Sequence, residues 1–193
     1  LNKLKNSYSF LMVGTVESRK GYSQTLSSFE ILWKQGVDVI LVIAGKPGWF
    51  VDELINKIRN HTEFGGRLYW PEGISDEYLE KLYSSCHCLI APSEGEGFGL
   101  PLVEAAQHKL PIIARDIPVF NEIAEQHAFY FSGKSSENLA STINEWLELY
   151  KSDKHPKSDD MPWLSWKESA NQLKKLLRGN SMRYCNRLEG ISC

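Results

Sequence analysis

Six apolar runs separated by stretches of helical periodicity predict an α/β protein built on one doubly wound, mostly parallel six-stranded sheet. Three observations support this. Apolar runs and helical patterns take turns from the start of the chain to about residue 150. The run V-I-L-V-I-A-G at 39–45 is almost unbroken and β-branched, as in a strand covered on both faces. No repeat of roughly 20–50 residues competes with that reading.

The elements follow in order. F-L-M-V-G (10–14) reads as a buried strand ending at Gly14, and residues 21–35 place Leu26, Phe29, Leu32 and Trp33 at helical spacing before Gly36. After the strand at 39–45 come a short helix at 51–60 and a third strand, R-L-Y-W (67–70), closed by Pro71. Ser75 ahead of Asp76 and Glu77 is an N-cap with an acidic first turn, for a helix reaching about Ser85. H-C-L-I-A (87–91) is a strand, L-P-L-V-E-A-A-Q (100–107) a helix with Pro101 in its first turn, and P-I-I-A (111–114) a strand. A short helix at about 118–125, a sixth strand H-A-F-Y-F (127–131) and a helix over 135–150 with Leu139, Ile143, Trp146 and Leu147 complete the first domain, 1–150. Residues 151–162 form a polar connector. The capping box S-W-K-E (165–168) opens a helix to 178 with Trp166, Ala170, Leu173 and Leu177 on one face. The tail, 179–193, is polar and aperiodic and reads as mobile.

A net charge of −2 with 42% hydrophobic and 24% charged residues describes a globular protein with no electrostatic case for nucleic acid or an anionic membrane as main partner. No apolar run approaches the roughly 20 residues of a membrane span. The first residues carry neither a secretory segment nor an initiator Met, so the chain reads as part of something longer, in the cytoplasm. The four cysteines read as reduced thiols. A metal at C-H-C (86–88) is the alternative, opposed by a strand geometry that turns His87 away from Cys86 and Cys88. His61, His108, His127 and His155 fall in loops or near element ends and read as structural or solvated. Trp163 and Trp166 read as packing residues rather than a carbohydrate platform.

Doubly wound sheets bind ligands at the carboxyl ends of their strands, which singles out three loops: G-T-V-E-S-R-K-G (14–21), P-E-G-I-S-D (71–76) and P-S-E-G-E-G-F-G-L-P (92–101). Arg19 and Lys20 precede a helix N-terminus, where a forked guanidinium and a compact ammonium suit a diphosphate; a solvated basic turn is the alternative. Neither G-x-G-x-x-G after the first strand nor G-x-x-x-x-G-K-[ST] is present, which disfavours a dinucleotide or P-loop site. In the third loop Gly97, Gly99 and Leu100 can offer main-chain N–H groups to an anion. Glu96 and Glu104, eight apart, then suit sugar hydroxyls rather than phosphate, although either alone could be a surface residue.

The segment E-G-F-G-L-P-L-V-E (96–104) resembles the E-x7-E motif of retaining GT-B glycosyltransferases of family 4. G-T-V-E-S-R-K-G resembles that family's first donor-domain loop, G-I-S-D-E-Y-L-E-K-L-Y (73–83) its base-binding turn and helix, and I-I-A-R-D-I-P-V-F-N-E-I (112–123) the strand and turn beyond the E-x7-E helix. The resemblance covers about residues 8–150. It implies a Rossmann-like domain, one half of a GT-B fold, that binds a nucleotide-sugar donor and requires no metal or other cofactor. Arg19 and Lys20 would hold the diphosphate, Glu96 the hydroxyls of the transferred sugar and Glu104 the ribose. Gly14, Thr15, Gly97, Phe98, Gly99 and Leu100 would line the donor, and Ile74 would meet the base through its main chain. Many members carry Arg where this chain has Thr15. The variant with Thr there and R-K later resembles bacterial mannosyltransferases of surface polysaccharide assembly, which favours GDP-mannose over a UDP-sugar. The implied partners are an N-terminal acceptor-binding domain absent from this chain and a glycan or lipid-linked acceptor, with the rest of the protein reaching the inner face of the membrane. A non-catalytic nucleotide-sugar-binding or assembly module, and an epimerase of the same architecture, are the competing readings.

Overall fold

The computed structural model of the chain describes Leu4 and residues 7–177. Its strands are β1 (Tyr8–Val13), β2 (Val39–Ala44), β3 (Leu68–Tyr69), β4 (Cys88–Ala91), β5 (Ile112–Arg115) and β6 (Phe129–Phe131). The helices are α1 (Tyr22–Lys34), α2 (Asp52–Arg59), α3 (Asp76–Tyr83), α4 (Leu100–Gln107), α5 (Pro118–Ala124), α6 (Ser136–Lys151) and α7 (Trp166–Leu177). The sheet order is β3-β2-β1-β4-β5-β6, and every pairing is parallel. The chain builds outward from β1 to β3, then crosses back to lay β4 on the free side of β1. The order therefore reverses between β1 and β4, and a crevice opens at their carboxyl ends.

Side-chain alternation along the strands feeds two cores. Phe10, Met12, Leu41 and Ile43 meet Leu26, Phe29 and Trp33 of α1 and Ile143 and Trp146 of α6. Leu11, Ile40, Val42 and Leu89 meet Leu82 of α3, Leu102 and Ala105 of α4, and Phe120 of α5. All six residues of β2 are buried, because helices cover both faces, and this is why its sequence is apolar without interruption. Ser75 caps α3 by accepting from Tyr78 N at 3.3 Å, as its sequence position predicts. The α4 N-terminus carries Pro101 in its first turn, as expected. Gly99 is its N-cap at φ 95° and Leu100 its first residue, so Pro101 takes the second position.

The chain divides into two compact units, Leu1–Met161 and Pro162–Cys193. The first runs past the expected limit at 150. His155, Ser158 and Met161 are buried, and Ser158 Oγ donates to Leu110 O at 2.9 Å. The polar composition of 151–162 masked these inward-facing residues. In the second unit, Ser165 and Glu168 form the expected capping box, Ser165 N donating to Glu168 Oε2 at 2.8 Å and Glu168 N to Ser165 Oγ at 3.2 Å. The expected helix end at 178 and the tail, with Cys185 and Cys193, lie outside the described residues.

Cys86 and Cys88 are free thiols; burial pushes Cys86 up to about 12 and Cys88 well above the usual thiol range. His87 is turned to Ser9, whose N–H it accepts at Nδ1 at 3.2 Å. Among the described residues no cluster of His, Cys, Asp or Glu could hold a metal ion. No helix among them is long and apolar enough to cross a membrane.

Candidate functional site

The loops leaving β1 and β4 are joined through their main chains. Gly14, at φ 129°, donates its N–H to Ala44 O at 3.0 Å and accepts from Tyr22 Oη at 2.6 Å. A Cβ on Gly45 would sit 1.8 Å from Gly14 O, so the loop after β2 can pack here only as glycine. After Glu17 the chain makes a single 3₁₀ turn, Ser18–Lys20, ended by Gly21 at φ 74°. At Gly21 a Cβ would fall 2.6 Å from Pro92 O, and Glu94 N donates to Arg19 O at 2.8 Å. Two segments more than 70 residues apart in sequence are thereby locked face to face, with the basic pair opposite the acidic loop.

The side chains form one cluster. Lys20 Nζ hydrogen-bonds and ion-pairs with Glu96 Oε1, which also accepts from Ser93 Oγ at 2.8 Å. Arg19 Nη1 donates to Gly95 O at 2.9 Å and lies 3.6 Å from Glu96 Oε2, while Nη2 pairs with Glu17 at 2.9 Å. The Lys20 and Glu96 side chains are 15% and 11% exposed and Arg19 is 51% exposed, so the pair sits inside the crevice and the guanidinium at its mouth. Burial pushes the Glu96 carboxyl up, but the Lys20 and Ser93 hydrogen bonds and the charges of Lys20 and Arg19 together hold it below its ordinary value. Glu96 is therefore an anion at neutral pH. Ser93 was not among the residues the sequence singled out; its place three before Glu96 in the same loop was the available signal.

The rest of the loop presents backbone. No hydrogen bond from the N–H groups of Gly97, Phe98, Gly99 or Leu100 occurs among the described residues. Gly97 has open space where a Cβ would project, whereas a Cβ on Gly99 would press 2.9 Å from Phe120 Cε1. These N–H groups lie at the start of α4, in the loop that carries Glu96, and a helix N-terminus with open N–H groups is chemically suited to an anion. The side chains of Phe98 and Leu100 are exposed.

Glu104 belongs to a second cluster. Its Oε2 accepts from Tyr83 Oη at 2.6 Å, and the Tyr83 ring stacks at 3° on His108. Burial, then the charge of Glu104, raises the Tyr83 phenol well above its ordinary value, so it acts as donor. Replacing Tyr83 by Phe keeps the ring and removes that bond; chemical denaturation is expected to register a loss of about 1.5–3 kcal/mol, the range for a bond to a charged partner. A change below about 0.5 kcal/mol, the lower end for any hydrogen bond, would mean that solvent already supports Glu104.

Thr15 is exposed beside the loop after β2, where a Cβ on Gly48 would come 3.2 Å from its Cγ2. That loop carries Trp49 and Phe50, 87% and 96% exposed, on the same edge of the sheet. Ile74 follows Gly73, at φ 65°, and is half-buried against the second core, at the turn capped by Ser75. Arg115, absent from the sequence-derived candidates, is buried at the end of β5 and holds the crevice wall. Its Nε donates to Pro92 O at 2.8 Å, its Nη1 to Gly133 O and its Nη2 to Gln24 Oε1, with its guanidinium 4.9 Å from the Phe131 ring centre.

The family described as Glycosyl transferases group 1 matches residues 1–159. The Serotype-specific mannosyltransferase WbdA of Escherichia coli is 54% identical over 169 residues, which cover 88% of this chain and 21% of that protein. The chain thus spans about a fifth of that relative's length. Among solved structures, the C-terminal domain of a glycosyl transferase group 1 family protein (LpcC) from Francisella tularensis superposes with a TM-score of 0.67 at 17% identity, covering 86% of each chain. Anabaena Alr3699/HepE, solved in complex with UDP and glucose, superposes at 0.74 and 17% identity over 92% of this chain and 50% of that one. At such identities the superpositions speak to the fold, a GT-B half.

Proposed function

The chain belongs to the Glycosyl transferases group 1 family, and on that premise we propose that residues 1–150 bind a nucleotide-sugar donor for a retaining, metal-independent glycosyl transfer. The observation that carries the reading is the convergence of Arg19, Lys20, Ser93 and Glu96 in the crevice between β1 and β4, followed directly in the chain by the N–H groups of residues 97–100, which have no acceptor among the described residues. Cations and amides suit a diphosphate, and a carboxylate beside them suits sugar hydroxyls. Glu104, held by Tyr83, is assigned to the ribose and the main chain at Ile74 to the base. Gly14 and Thr15, at the end of β1, are assigned to lining the donor.

In the proposed step the bond between the anomeric carbon and the diphosphate oxygen breaks, and its electron pair leaves on the phosphate. The acceptor hydroxyl oxygen bonds to the same carbon from the same face and passes its proton to the departing phosphate oxygen. Arg19, Lys20 and the α4 N-terminus stabilise the charge that grows on the leaving group. The mannosyltransferase name of the relative at 54% identity supports mannose as the sugar, hence GDP-mannose, with a surface polysaccharide as product. The acceptor is assigned to an N-terminal domain beyond this chain, and the work to the cytoplasmic side of the membrane. The segment from 151 to 178 is assigned to connecting and packing roles.

A thermal-shift screen of the chain against GDP, UDP and ADP and their sugars tests the donor site. A ligand at about 100 times its Kd stabilises by about 2.7 kcal/mol. That is a rise of roughly 5–10 °C for a chain of this size. GDP and GDP-mannose are expected to give the largest rises. No shift with any of them at millimolar concentration would overturn the assignment.

A further inference from the structure

We propose that Glu96 is a resident anion on the diphosphate site, so that the crevice selects a nucleoside diphosphate carrying its sugar over the free nucleoside diphosphate. The inference rests on the donor-site reading above and adds a direction to it: the same carboxylate that receives the sugar expels the by-product.

The ground for it is how the cations are occupied without ligand. Lys20, the more enclosed of the two cations of the first loop, already has Glu96 as its partner. Arg19 is shared among Glu17, Gly95 O and the second oxygen of Glu96. A diphosphate entering between these two residues therefore meets no unclaimed cation and must take Lys20 from Glu96. Once displaced, Glu96 keeps one hydrogen-bond donor, Ser93 Oγ, and the looser contact of Arg19 at 3.6 Å, which the diphosphate also competes for, on a carboxylate almost out of solvent. Its negative charge then faces phosphate across a short, partly dehydrated gap.

A donor that carries its sugar relieves this. The sugar hydroxyls supply hydrogen bonds to Glu96 in place of the Lys20 bond, so the exchange leaves every charged group partnered. A free nucleoside diphosphate brings the phosphates without the hydroxyls and leaves the carboxylate short of donors. After transfer the sugar is gone, Lys20 is the nearest cation for Glu96, and the exchange runs backward. The pair Lys20–Glu96 thus works as a two-position contact whose stable setting depends on whether the sugar is attached.

Calorimetric titrations of the chain with GDP and GDP-mannose, and in parallel with UDP and UDP-glucose, compare the natural protein with Glu96→Gln. The amide of that variant keeps the shape and an acceptor for Ser93 and loses the charge. The free nucleoside diphosphate is expected to bind the variant about tenfold more tightly, and the preference for its sugar to shrink by at least that factor. Glu17→Gln, which frees only the exposed Arg19, is expected to change the same affinities less than about threefold. Thermal transitions of both variants, run without ligand, establish that they fold. Equal or weaker binding of the diphosphate by a folded Glu96→Gln protein overturns the inference while leaving the donor site standing. Binding of no nucleotide by the natural chain overturns the donor site itself.

Discussion

Replacing Lys20 by alanine is expected to lower kcat of the full-length protein by about 100- to 1,000-fold, the effect of removing one preorganised donor from a developing anion. The geometry makes this lysine hard to replace. It is the last residue of a 3₁₀ turn whose cap, Gly21, lies against Pro92 with no room for a Cβ, so its backbone cannot shift toward the phosphates to compensate. Its side chain is 15% exposed, where water screens it little and its charge acts at short range. Arg19 does not substitute for it, because the guanidinium is half-exposed at the mouth and already held by Glu17 and Gly95 O. Lys20→Arg is expected to rescue poorly, since a planar fork does not fit the place of a compact charge between Glu96 and the glycine loop. The alanine variant also leaves Glu96 with Ser93 and the looser Arg19 contact, so a stability loss of about 1–2 kcal/mol accompanies the kinetic one. Steady-state kinetics with nucleotide sugar, beside a thermal melt, separates the two. A kcat within about threefold of the natural protein, far short of the loss that a preorganised donor commands, would remove Lys20 from the reaction.

The fold was legible because both faces of the sheet are covered. That condition writes long apolar runs into β1 and β2 and helical periods between them, and each of the six strands lies close to its expected place. Edge elements were less sharply written: β3 is only Leu68–Tyr69, half the length its R-L-Y-W run suggests. Arg19, Lys20 and Glu96 stood out because each lies in a loop at the sheet's carboxyl edge, and Glu104 by its spacing of eight from Glu96. What holds them did not. Tyr83 and Glu104 are 21 residues apart on different helices, and nothing in E-K-L-Y distinguishes a ring that packs from one that also donates. The polar residues 152–161 concealed His155, Ser158 and Met161, because periodicity has no purchase on a segment without regular structure. Arg115 was the largest omission. At the end of I-I-A-R it reads as the solvated terminus of a strand, and its three hydrogen-bonding partners lie 18, 23 and 91 residues away.

Arg115→Ala is accordingly expected to be the most destabilising single change in the crevice wall, at about 3 kcal/mol, or a fall of roughly 6–12 °C in Tm. The residue is 5% exposed, yet no carboxylate pairs with it among the described residues. Its charge is met by two carbonyl oxygens, an amide oxygen and the face of Phe131, with Glu94 contributing at longer range. Burial lowers its pKa from the usual arginine value, the mark of a cation that gains little from its surroundings beyond these dipoles. Alanine removes the cation and its three bonds at once: Pro92 O loses its donor in a buried position, Gly133 O is left with the longer bond from Gln24 Nε2 at 3.5 Å, and Gln24 Oε1 loses its partner. The consequence reaches the chemistry through Pro92. That residue packs against Gly21 and begins the loop carrying Ser93 and Glu96, so its carbonyl ties the end of β5 to both halves of the site. Donor affinity should therefore fall along with stability, by about tenfold if freeing the loop disrupts the Lys20–Glu96 geometry. Arg115→Lys supplies one bond of the three and should recover less than half of either loss. The decisive outcome is the coupling. A variant that loses stability but binds donor as the natural chain does would confine Arg115 to the fold, whereas loss of both makes it the residue that positions the site.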